Sequence, residues 1–102
     1  MKLISSQRTR DEDIVADKRT NRDYCVSVTP VFELFGEECR LVLDGHHSYE
    51  AAILDGVKPT LDELDATEDD RIYLLQDGNL EDFFEATWID SDLYNIETGF
   101  DL

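Results

Sequence analysis

Apolar and polar residues alternate along residues 24–34. Val26, Val28, Pro30, Phe32 and Leu34 fall on one side, and Ser27, Thr29, Val31 and Glu33 on the other. A period of two is that of a strand. Pro30 has no N–H to give a ladder, so it marks an edge or a bulge. Phe35-Gly36-Glu37-Glu38 turns the chain, and Cys39 to Leu43 is a second strand. Pairing Leu34 with Cys39 would set Phe32 against Leu41 and Glu33 against Arg40, which matches apolar faces and opposite charges. Asp44-Gly45 ends this strand, and the period changes. Tyr49, Ala52 and Ile53 recur at helical spacing, which predicts a helix over 46–55 that is stopped by Gly56, with Pro59 beyond. Thr60–Leu64 reads as a short strand. Thr67-Glu68-Asp69-Asp70 resembles a capping box with Asp in place of Glu, opening a second helix through Asp77 that Gly78 stops. Leu80–Ile89 alternates like a strand through Phe84, Ala86 and Trp88, with a helix as the alternative for its first half. Residues 90–102, carrying Tyr94, Ile96 and Phe100, read as a last hairpin or an ordered tail. Residues 5–23 show neither period. The pattern therefore predicts an irregular polar arm over 1–23 and one acidic α/β (α+β) domain over 24–102, with a small mixed sheet and two or so helices.

Length and composition agree with one domain. The 102 residues are 41% apolar, enough for a single core without a metal or disulfide staple. No run approaches the roughly 18 apolar residues of a membrane span, and Met1–Arg8 lacks the apolar segment of a signal peptide. Both point to a cytoplasmic protein without membrane partners. Cys25 and Cys39 show no metal-ligand spacing and do not form a framework; the register places them apart, and both read as buried, unbridged thiols.

Charge narrows the partners. The net charge is −16, and it is unevenly placed. Residues 1–23 carry six Lys/Arg against five Asp/Glu, whereas residues 24–102 carry three against twenty. Such a body repels a bare phosphate backbone, which argues against direct duplex DNA binding. A basic protein partner is electrostatically allowed. The densest acidic run, Asp62 to Asp70, reads as a capped helix start, with Mg²⁺ collection or imitation of a phosphate rail as the functional alternatives.

The corner Asp44-Gly45-His46-His47-Ser48 carries the candidate chemistry. A strand ends, a glycine permits a tight turn, and a helix begins. First-turn N–H groups have no helical partner, and the helix dipole is positive there, which suits a phosphate or carboxylate. Two imidazoles and a hydroxyl add donors. Asp44 could fix a histidine tautomer or hold Mg²⁺. The competing reading is an ordinary helix start that Asp44 caps, with histidines that only pack.

Leu41-Val42-Leu43-Asp44-Gly45-His46-His47-Ser48-Tyr49-Glu50-Ala51-Ala52, followed by Gly56-Val57-Lys58-Pro59, resembles the core box of the ParB N-terminal domain and sulfiredoxin superfamily. The likeness is specific over 41–59 and looser over 3–64. It implies a mixed sheet with helices and a pocket for a nucleotide such as ATP or ADP, with Mg²⁺, at Asp44, Gly45, His46 and His47. Phosphotransfer or hydrolysis occurs in some members. The family's arginine is Ser48 here, which removes a bidentate phosphate donor. Arg8, Arg10 or Arg40 are the candidate substitutes, and restoring arginine at 48 is expected to strengthen binding. No sulfiredoxin-like cysteine sits in the box. The reading from another class is a non-enzymatic acidic interaction protein on the same fold, of the immunity, anti-defence or DNA-mimic type associated with mobile elements. A basic side chain beside His46 would favour the first reading, and an all-acidic mouth the second.

Overall fold

In the computed structural model, which describes residues 1–102, the chain runs β1 (Lys2–Ser5), α1 (Glu12–Thr20), β2 (Cys25–Val28), β3 (Phe32–Leu34), β4 (Glu37–Asp44), α2 (His46–Leu54), β5 (Thr60–Glu63), α3 (Arg71–Gln76), α4 (Leu80–Thr87) and β6 (Tyr94–Asn95). This is a mixed α/β fold. The sheet order is β5-β2-β4-β1-β6, with β3 also paired to β4. β1 runs parallel to β4 and β5 parallel to β2, while the β2–β4, β3–β4 and β1–β6 pairs are antiparallel.

β4 is central, and its alternation builds both faces. Cys39, Leu41 and Leu43 join Ile4, Ile72, Leu75 and Phe83 in one core cluster, beneath α3 and α4. Val42 joins Leu3, Val26, Val28 and Tyr49 in the other, beneath α2. Helices on both faces make three layers, which is why this strand is apolar at nearly every position from 39 to 43.

The first 23 residues are not an irregular arm. β1 lies between β4 and β6, with Ile4 and Ser5 fully buried. Four residues are too few to display a period, and β1 is a strand only because β4 offers it an edge. α1 does carry a local signature. The Asp11 carboxylate accepts the N–H groups of Asp13 and Ile14, Glu12 and Asp13 stand in the first turn, and Lys18 and Arg19 stand in the last. Its apolar face is almost absent, since Val15 is its one buried residue, so periodicity could not reveal it.

The β3–β4 hairpin is tighter than expected. Phe32 pairs with Cys39, Glu33 with Glu38 and Leu34 with Glu37, a shift of two residues from the register that matched charges. The turn is the pair Phe35-Gly36 alone, both with positive φ, as a two-residue I′ connection requires. Turn geometry sets this register, and the Glu33–Glu38 pair is tolerated because both residues are exposed. A phenylalanine at φ 53° that is 85% exposed is an unfavourable choice for this position. Phe35→Asn is expected to stabilise the fold by about 1 kcal/mol, because asparagine tolerates the left-handed region and little burial is lost. A thermal melt reads the effect; a lower melting temperature would contradict it.

Between β2 and β3 the strand breaks at Pro30. Thr29 N–H donates to the Leu41 carbonyl, and Thr29 Oγ1 accepts Leu41 N–H at 3.0 Å, so a hydroxyl completes the pairing where the backbone departs from the ladder. The acidic capping box sits two residues earlier than read. Asp65 accepts the N–H groups of Thr67 and Glu68, and Glu68 returns a carboxylate oxygen to Asp65 N–H. The helix that follows, α3, is confined to 71–76. Residues 80–87 are helical, not extended: Leu80, Phe83, Phe84 and Thr87 form an i, i+3, i+4, i+7 stripe. Phe83 and Phe84 pack edge-on, centroids 5.4 Å apart, while Trp88 is left 61% exposed. Cys39 is buried, and burial pushes its thiol pKa up. Cys25, expected inside, is exposed at the start of β2, and both thiols are free. No helix is long and apolar enough to cross a membrane.

Candidate functional site

β4 ends at Asp44, whose carboxylate accepts Gly45 N–H at 2.8 Å. Gly45 then takes φ 92° and starts α2 with no side-chain cap and no acid in the first turn. The glycine is needed, but not to admit a ligand. A Cβ at Gly45 would stand 2.7 Å from the Cys25 carbonyl oxygen and 2.9 Å from Val26 Cα. The close approach is that of β2's own backbone.

The two histidines face different neighbours. His46 is buried, with Nε2 2.8 Å from Ser5 Oγ. Ser5 Oγ already accepts Gln7 N–H, so its own proton is free for the ring nitrogen of a neutral imidazole. Burial, with the Arg10 charge nearby, lowers the His46 pKa to about 4. His47 is half-buried, and its Nε2 accepts Asp11 N–H at 3.1 Å. That bond fixes the proton on Nδ1 and ties the start of α1 to the start of α2. Ser48 is 2% exposed and sits on the wall of a cleft beside Asp23 and Asp44. On α2, Tyr49 and Ala52 face the core as read, but Ile53 is 53% exposed, and Ala51 is buried in its place because α1 covers a second face.

Two clefts flank this helix start. One, of about 410 Å³, is lined by Lys18, Asp23, Cys25, Asp44, His47 and Ser48. Lys18 is paired with Asp23 at 3.1 Å, and this bond raises the lysine pKa and holds the Asp23 carboxyl low. With Asp44 added, carboxylates outnumber the amine, so this side does not suit a phosphate. The other, of about 210 Å³, is lined by Arg8, Arg10, Tyr49, Glu50 and Tyr94. The Arg8 guanidinium lies 3.9 Å over the Tyr94 ring and binds Asp101 at 2.5 Å. Arg10 donates to the Gln7 carbonyl at 2.7 Å and to Tyr94 Oη at 3.2 Å. Its Nε is buried without a partner. The backbone of Arg8 is held as well, its N–H bonded to Asp90, whose pKa that bond lowers.

The structure thus sets Asp44, Gly45, His47 and Ser48 on one cleft and Arg8 and Arg10 on the other, and links the two through the Arg10 charge acting on His46. Arg40 is elsewhere, about 13 Å along β4 from Asp44, and is bound to Glu63 at 2.8 Å. Tyr94 was the residue that sequence reasoning missed. It lies 84 positions from Arg10, and only the β1–β6 pairing carries it there. No three His, Cys, Asp or Glu side chains converge as a metal site would need. The chain matches no family model, no curated protein and no solved structure.

Proposed function

We propose that this domain binds a nucleotide or other phosphate ester through Arg10 and Arg8, beside the uncapped start of α2. The observation that carries the reading is Arg10: a guanidinium bonded to Gln7 and Tyr94, whose charge acts on His46 and whose buried Nε donates to nothing. It supplies the basic group that the box lost at Ser48. The resemblance of residues 41–59 to the ParB and sulfiredoxin box supports the same ligand class, with ATP or ADP and Mg²⁺ as the first probes.

The proposal is one of binding and assigns no catalytic step. His46 is buried and neutral, and His47 Nε2 is taken by Asp11 N–H, so neither is a ready general base. Affinity is expected to be weak, because Glu50 and Asp101 stand beside the arginines and the chain carries −16. Phosphate, ADP and ATP, with and without Mg²⁺, should shift the amides of Arg8–Asp11 and Gly45–Tyr49 in NMR titrations, with Kd in the millimolar range. One charge-assisted hydrogen bond contributes about 1.5–3 kcal/mol, so Arg10→Gln should weaken binding about tenfold or more. Unmoved amides at millimolar ligand, or an unaffected Arg10→Gln, would dispose of the proposal.

A second reading has an observation of its own. Phe35 and Trp88 are exposed and line one cleft of about 510 Å³ with Asp92 and Asp101. Aromatic anchors framed by acids suit a basic protein surface. Phe35→Asn separates the readings, since it removes one anchor and leaves the arginines intact.

A further inference from the structure

A fourth cleft, of about 240 Å³, opens where the end of α2 and the segment after it pass β1, β4 and β5. Leu3, Ile53 and Leu61 form its walls, which accounts for Ile53 and Leu61 being 53% and 40% exposed. Lys2, Arg40 and Lys58 also line it. This is an unusual concentration of cations. Residues 24–102 hold only Arg40, Lys58 and Arg71 against twenty acids, and the fold brings two of those three here. One carboxylate, Glu97, lines the same cleft.

The donors are only partly used. Lys2 pairs with Glu37, and Arg40 pairs with Glu63 through one terminal nitrogen. Arg40 Nε is buried and has no hydrogen-bond partner. Lys58 forms no ion pair. A buried guanidinium donor left unmatched is costly, and an oxygen anion is its best partner. The apolar walls disfavour a strongly hydrated dianion and favour a monoanion with an apolar body.

We infer that this cleft is a binding site for a small amphipathic carboxylate, its apolar part against Leu3, Ile53 and Leu61 and its carboxylate on Arg40 and Lys58. The site is separate from the arginine pair proposed for phosphate, with Tyr49 forming a wall of both clefts. The cleft's volume suits a free acid of moderate chain length.

Octanoate is the probe, with octanol and acetate as controls for the charge and the chain. In NMR titrations of the whole chain, octanoate should shift the amides of Leu3, Arg40, Lys58 and Leu61 saturably. It should bind about tenfold more tightly than octanol, while acetate produces no saturable shift. Lys58→Gln and Arg40→Gln should each reduce the preference for octanoate over octanol severalfold. Lys58 is exposed and unpaired, so its variant keeps the test valid if Arg40→Gln disturbs folding. Arg10→Gln should leave octanoate binding unchanged, so this site and the phosphate site fail separately. Equal binding of octanol and octanoate, saturable acetate binding at the same amides, or octanoate shifts confined to the Phe35–Trp88 cleft would each overturn the inference.

Discussion

Replacing Gly45 by alanine is expected to destabilise the fold by about 3–4 kcal/mol, with two causes acting together. At φ 92° any side chain is strained, which costs about 1–3 kcal/mol. The new Cβ would also meet two backbone atoms, Cys25 O at 2.7 Å and Val26 Cα at 2.9 Å, and backbone cannot rotate aside. Relief requires α2 to lift from β2, which separates Tyr49 from Val26 and Val28. Gly56 is the control. Its φ is 66°, but nothing lies within 4 Å of a Cβ there, so Gly56→Ala should show the conformational strain alone. Urea unfolding with an unchanged slope measures both variants. If Gly45 serves a ligand rather than the seam, Gly45→Ala costs no more than Gly56→Ala, and the packing account fails.

Acid should weaken the domain through His46 before its carboxylates contribute. The folded-state pKa of about 4 lies below the unfolded value near 6.5, so the unfolded chain binds the extra proton between those limits. Stability from the neutral, buried imidazole is therefore fully present above about pH 6.5. It declines as pH falls from 6.5 toward 4, amounting to about 3 kcal/mol at pH 4. Asp23, Asp55, Asp65, Asp69 and Asp90 have lowered pKa values, each held by hydrogen bonds, so their contributions are lost only at still lower pH. Relief of repulsion in a −16 chain acts in the opposite direction, so His46 must be isolated by difference. The stability gap between wild type and His46→Gln should narrow by about 3 kcal/mol from pH 7 to pH 4. A gap that does not vary with pH, or a His46 ring that titrates near 6.5 by NMR, would contradict the burial argument.

Local and repeating features were legible in the residues themselves. The alternation of β2 and β4, the helix of 46–54 between two glycines, the acidic bias and the strand-to-helix corner could all be read from residues close in the chain. The acidic box was visible too, but its cap falls on Asp65, two residues earlier than read, and it closes a turn ahead of α3, whose own start at Asp70 has no side-chain cap. Tertiary structure decided what depends on distant partners. β1 is a central strand because β4 and β6 flank it, not because Lys2-Leu3-Ile4-Ser5 has a pattern. The hairpin register follows from the two-residue turn at Phe35-Gly36, which overrode the pairing of Glu33 with Arg40. Phe83 and Phe84 entered the core on a helix because Leu80 and Thr87 complete its stripe. At the candidate site, the sequence brought the histidines together but could not orient them. Whether each imidazole faces solvent or protein depends on Ser5 and Asp11, which are 41 and 36 positions away. Folding buried His46 against Ser5, bonded the half-buried His47 to Asp11, and left Arg10, hydrogen-bonded to Tyr94, as the basic group whose charge reaches the box.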